Sequence, residues 1–174
     1  MKLVLNRQEE FRCGTVRHGV TVRIKTGVTA GGEILARQMA LTWDTGAYAD
    51  CGPAVAVSAD SYCVYTNNPV ASAFRGYGVS QVTWACECHT DRLARKLGLD
   101  PVEFRLRNVY TTGDRNSIGQ KLEVVSLREM LEDVRSRLIG FEPRVQGVEP
   151  DGQFSRGYGV ALAYNQATGQ GEKA

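Results

Sequence analysis

Apolar and polar positions alternate through the first third of the chain. Over residues 15–28 (TVRHGVTVRIKTGV), Val20, Val22, Ile24 and Thr26 face one way against Thr21, Arg23 and Lys25, the period of two of a half-buried strand. Thr29-Ala30-Gly31-Gly32 supplies a turn. From Glu33 to Tyr48 a second run sets Ile34, Ala36, Gln38, Ala40 and Thr42 on one face and Leu35, Met39, Leu41 and Trp43 on the other. The two runs predict a long β-hairpin. Ala49-Asp50-Cys51-Gly52-Pro53 breaks it and a short apolar run, 54–59, follows. Ser61–Thr66 (SYCVYT), rich in β-branched and aromatic residues, predicts a further strand ended by Asn67-Asn68-Pro69.

The period changes at Ser80. Val82, Ala85, Cys86, His89, Leu93 and Leu97 form one helical stripe, with Glu87, Asp91 and Arg95 on the other side and Gly98 placed to end the helix. Asp100-Pro101-Val102-Glu103 combines an N-cap, a first-position proline and a capping-box glutamate, and predicts a short helix to about Asn108. Ser126-Leu127-Arg128-Glu129 repeats the capping pattern, and Leu127, Leu131, Val134 and Leu138 face the core in a third helix that Gly140 stops. Residues 141–153 read as a connector, Gly157–Tyr164 as a last strand, and 165–174 as a frayed tail. The fold class is α+β: a β-hairpin-based mixed sheet with about three helices packed on it, in a single domain spanning residues 1–174.

Composition narrows this picture by exclusion. With 174 residues, 43% apolar and 23% charged, the chain can bury a core, and a net charge of +2 lacks the concentrated basic face that nucleic acid demands. No apolar run approaches the length of a membrane span, and the start Met1–Arg7 is too weakly apolar for a secretory signal. Five cysteines, an odd number without regular spacing, read as reduced thiols in a cytoplasmic protein.

The densest candidate chemistry is Ala73-Phe74-Arg75-Gly76-Tyr77-Gly78, directly ahead of the helical stripe. Glycines that tolerate positive φ let the backbone approach a ligand, and a glycine turn opening a helix can cradle an anion. The same residues equally suit a tight helix entry with inward-packed rings. Arg75-Gly76-Tyr77-Gly78-Val79 recurs as Arg156-Gly157-Tyr158-Gly159-Val160 and touches the signature of an RNA-recognition strand, but Val79 and Val82 stand where aromatics are needed and the following period is helical. Cys86 and His89 share a helix face without the second ligand pair that zinc needs, so no metal ligands are assigned. Asp44, Asp50 and Asp60 read as solvated turn residues without a partner for acid–base work. Trp43, Tyr48, Tyr62 and Tyr65 read as sheet packing.

Ala73–Gly78, with Gln81 beyond it, resembles the cofactor-contacting segment of the molybdenum subunit in the xanthine dehydrogenase and aldehyde oxidase family. Leu3–Glu10, Arg17-His18, Lys25-Thr26-Gly27, Asp44–Tyr48, Arg107–Tyr110, Gly113-Asp114 and Gln120–Glu123 resemble further family segments in the family's order. The resemblance implies a fragment of a subunit that binds molybdopterin, in bacteria usually with a cytosine dinucleotide, and hydroxylates aldehydes or N-heterocycles with water-derived oxygen. It implies that Ala73, Phe74, Arg75 and Gly76 contact the cofactor and that Tyr77 stacks on the substrate ring. The implied partners are the rest of the molybdenum subunit and iron–sulfur and flavin subunits or domains, with a homodimer of the fragment also compatible. No residue matches the family's catalytic glutamate, and none is assigned. The 49–61 connection is shorter than in the family. The fragment is therefore expected to lack activity and bound cofactor when isolated; the alternative is a scaffold or binding module that kept only the fold.

Overall fold

A computed structural model describes residues 4–48, 60–76, 78–116, 119–139 and 157–163. Its elements run α1 (Arg7–Cys13), β1 (Gly19–Val28), β2 (Ile34–Asp44), β3 (Asp60–Val64), α2 (Val79–Leu97), α3 (Pro101–Asn108) and α4 (Leu127–Ile139). The fold is α+β. The sheet order is β1-β2-β3. The short 29–33 connection between β1 and β2 requires an antiparallel pair, whereas β3 runs parallel to β2 in register from Ala40 opposite Asp60 to Asp44 opposite Val64. The sheet is therefore mixed.

The chain divides into two compact units: Met1–Thr26, Arg37–Cys88 and Leu162–Ala174 in the first, Gly27–Ala36 and His89–Ala161 in the second. In the first, the alternation of β1 and β2 turns Val20, Val22 and Met39 onto a core of Leu41 and Trp43, which are 1% and 2% exposed, and Val82 of α2 packs on the same core. Leu35, predicted for that face, is instead exposed at the hairpin tip. In the second unit the hairpin tip is held by Asn108, whose side chain accepts the N–H of Ile34 and donates to the carbonyls of Gly32 and Phe104. Arg107 donates to the Gly31 carbonyl. Gly32 sits at φ +88°, with Leu99 where a Cβ would stand.

Helix α3 forms as its cap predicts: Asp100 accepts the N–H groups of Val102 and Glu103 at 2.9 Å, and Pro101 stands at the first turn. Its Val102, Phe104 and Leu106 are buried, and α3 contacts α4, where Leu131 is buried. Arg105 is buried too, its guanidinium 2.8 Å from the Asp91 carboxylate and donating to the Pro101 carbonyl.

Four helices, not three, are present among the described residues. The additional one, α1, has a complete capping box in which Asn6 accepts the Glu9 N–H and Glu9 accepts the Asn6 N–H, but it buries no residue. It therefore leaves no apolar period to read. Residues 157–163 form no strand; the Leu162 N–H instead donates to the Glu87 carboxylate. Glu87 and Asp91, expected on the solvent side of α2, are thus both engaged and half-buried. Tyr164 and the 165–174 tail lie outside the described residues.

Candidate functional site

The site is built outward from the end of β2. Asp44 accepts hydrogen bonds from the Thr66 hydroxyl at 2.6 Å, the Gly46 N–H at 2.9 Å and the Asn68 amide at 2.6 Å. These bonds, that of Thr66 first, hold its pKa below the ordinary 3.8, since each favours the charged carboxylate. Asp44 is not a merely solvated turn residue: it fixes the chain arriving from β3. Gly46 has φ +71°, and a Cβ there would lie 2.1 Å from the Pro69 carbonyl oxygen, so the position admits only glycine without backbone movement.

Residues 70–72 are then gripped from two sides. The Ala71 N–H donates to the Thr45 carbonyl at 3.1 Å, while Val16 donates to the Val70 carbonyl and accepts from the Ser72 N–H. Ala71 and Thr45 are buried. Past Ser72 this support ends. Ala73, Phe74 and Arg75 are exposed and Gly76 half-buried, and none of their four N–H groups finds an acceptor among the described residues. The chain closes again at Gly76, whose carbonyl accepts the Val79 N–H at 2.8 Å where α2 begins. Gly76 and Gly78 have φ +95° and +90°. A Cβ on Gly76 would stand 2.4 Å from Ser80 Oγ.

One side chain reaches across this open span. Arg17 donates through Nη2 to the Arg75 carbonyl at 2.7 Å and through Nη1 to Gln81 Oε1 at 3.2 Å, and its guanidinium lies 4.5 Å from the centre of the Phe74 ring. Gln81 in turn donates to the His18 carbonyl at 3.2 Å. The His18 ring is buried edge-on to Trp43, with centroids 6.3 Å apart.

The structure thus brings Ala73, Phe74, Arg75 and Gly76 together as one turn, exposed at its first three residues. Tyr77, expected on the substrate, lies outside the described residues, as do Asp50, Cys51 and most of the 49–61 connection. Tyr48, Tyr62 and Tyr65 are exposed rather than packed in the sheet, while Trp43 is buried as expected. Asp60 is the exposed first residue of β3. Cys86 places its thiol 3.4 Å from the Met39 sulfur, and burial raises its pKa. Among the described residues no three His, Cys, Asp or Glu side chains cluster as metal ligands. No helix there is long and apolar enough to cross a membrane. The bridging role of Arg17 had no local signal, because its partners lie 58 and 64 positions away.

Residues 1–109 match the family model described as the molybdopterin cofactor-binding domain. The chain is 38% identical over 155 residues to the nicotinate dehydrogenase large molybdopterin subunit of Eubacterium barkeri, covering 80% of this chain and 36% of that protein. It is 34% identical over 177 residues to the xanthine dehydrogenase molybdenum-binding subunit of Escherichia coli O157:H7, covering 92% and 24%. Among solved structures, the aldehyde oxidoreductase of Desulfovibrio gigas superposes with a TM-score of 0.70 at 32% identity, over 75% of this chain and 16% of that one. The chain spans little more than a third, or less, of the length of each of these proteins.

Proposed function

This chain belongs to the molybdopterin cofactor-binding domain family, that of the xanthine dehydrogenase and aldehyde oxidase molybdenum subunits, and from that premise we propose that its 73–76 turn is one wall of a molybdenum hydroxylase site. The observation that carries the reading is the run of four N–H groups without acceptors among the described residues, in a turn whose Ala73, Phe74 and Arg75 are exposed, between two bonded anchors. Main-chain donors held in place suit an anionic group, because they need no reorganisation when the charge arrives. Ala73, Phe74, Arg75 and Gly76 would hold the cofactor in this way, and glycine at 76 keeps the backbone there open to approach. When bound, the cofactor supplies the redox centre at which a carbon atom of the substrate is hydroxylated.

In this reading the substrate is an aldehyde or an N-heterocycle, and Tyr77 offers a ring for offset stacking on a planar one. The cofactor is the cytosine dinucleotide form. The chain works in the cytoplasm beside the rest of a molybdenum subunit, with iron–sulfur and flavin partners receiving the electrons. The chain alone is inactive, because a site assembled from several segments loses its pre-organisation when most are missing.

Two measurements test this. Purified chain is expected to carry molybdenum far below one atom per chain, and elemental analysis finding a stoichiometric amount would contradict the one-wall reading. Saturating molybdopterin cytosine dinucleotide is expected to raise the melting temperature, as any ligand of the native state does. An unchanged melting temperature would favour a scaffold that kept the fold without the chemistry.

A further inference from the structure

We propose that Arg17 is the positioning residue of the 73–76 turn, setting the direction of the Gly76 N–H through the carbonyl of Arg75. This rests on the reading that the turn holds the cofactor. A peptide unit is planar and trans, so its C=O and N–H point in opposite directions across one rigid plane. The Arg75 carbonyl and the Gly76 N–H belong to the same unit. Fixing the carbonyl against Arg17 Nη2 at 2.7 Å therefore fixes where the Gly76 N–H points.

Three contacts make the guanidinium a fixed rather than a wandering group. Nη1 is spent on Gln81 Oε1, the plane lies over the Phe74 ring, and Gln81 is itself tied to the His18 carbonyl. His18 is 3% exposed and packs on Trp43, so the chain of contacts ends in the core of the sheet. The fork is what matters. A lysine carries the same charge but cannot donate in two directions from one plane while stacking on an aromatic face. Without this brace, the bonds that hold the turn among the described residues are those at its ends, at Ser72 and Val79, with glycine at 76 free to rotate the intervening peptide.

The test compares wild type, Arg17→Lys and Arg17→Ala by amide NMR of the chain, with Arg23→Ala on exposed β1 positions as the control. In the absence of cofactor, both Arg17 variants are expected to shift the Phe74, Arg75 and Gly76 amide resonances, and the control is not. Millimolar guanidinium added to Arg17→Ala is expected to return the Gly76 resonance toward its wild-type position, a rescue that general loosening of the fold would not give. In a titration with molybdopterin cytosine dinucleotide, Arg17→Lys is expected to raise the dissociation constant about tenfold, the scale of one lost charge-assisted bond. Gly76 resonances unmoved in the lysine variant, or equal affinity of that variant and wild type, would overturn the positioning role. Should Arg17→Ala not fold, the lysine variant decides alone. A wild-type chain whose turn amides do not respond to the cofactor would instead overturn the binding reading on which this role depends.

Discussion

Helix α3 and the 73–76 turn are both held by side chains bonded to backbone, but their anchors lie at opposite ends of the scale of sequence distance. The cap of α3, Asp100, meets the N–H groups of residues two and three positions on. The turn is held by Arg17, 58 residues before Arg75, and its approach is fixed by Asp44, 22 residues before Thr66. A helix that carries its own cap is specified by a few adjacent residues and finished by burying Val102, Phe104 and Leu106. The turn has almost no local preference beyond its glycines; it takes its shape from a sheet that must already exist. The region proposed to meet the cofactor is thus the one least able to hold its form alone.

Substitutions at the two kinds of anchor separate them most sharply where backbone meets backbone. Gly46→Ala is expected to cost about 3 kcal/mol in urea denaturation, because its Cβ would strike the Pro69 carbonyl at a positive φ, and to broaden the 73–76 amide resonances. A loss no greater than that of an ordinary surface change would mean that the path into the turn is not rigid. Asp44→Asn is next, at about 2 kcal/mol near neutral pH, since the charged acceptor of three bonds is weakened. The pKa of Asp44 is lowered on folding, so its contribution is fully present above the ordinary 3.8 and is lost as pH falls through the lower folded value. The gap between wild type and Asp44→Asn should therefore close below pH 3.8 in denaturation series at stepped pH; a gap independent of pH would show that the carboxylate charge is not what matters.

The local anchors should cost less. Asp100→Ala removes the cap of α3 and is expected to cost about 1.5 kcal/mol, read as a shifted urea midpoint. Gly98→Ala is the smallest, about 1 kcal/mol, because Gly98 at φ +69° has open space around its Cβ position and only the backbone preference is lost. The pair Gly46 and Gly98 makes the comparison within one residue type: similar φ, but a carbonyl beside one and nothing near the other. Equal losses at both would remove the distinction between distal and local support.

The same distinction governs how much could be read in the sequence. The hairpin, β3 and the helices α2, α3 and α4 were legible because periodicity and caps are local. Helix α1 escaped because it buries nothing, although Asn6 and Glu9 carried its capping box in plain view. Ala73–Gly76 stood out through glycine and arginine, but the same letters served a ligand turn and a packed helix entry equally until the family resemblance weighed in. Asp44 looked like a solvated turn residue because its partners Thr66 and Asn68 come from another strand connection. Tyr62 and Tyr65 suggested packing by type, yet Tyr62 in β3 and Tyr65 just beyond it are both exposed. In each case the missing information was which distant segment arrives alongside.

The clasp of Val16 and Arg17 on residues 70–75 also fixes an order of events in time. These two residues are made before everything they grip, which comes more than fifty residues later. Their bonds cannot form until a large loop has closed, a step whose entropic cost grows with the logarithm of its length. The capped helix α3 needs no such closure. The turn is therefore a late product of folding, and its surface does not exist on the nascent chain until the sheet beneath it has been assembled.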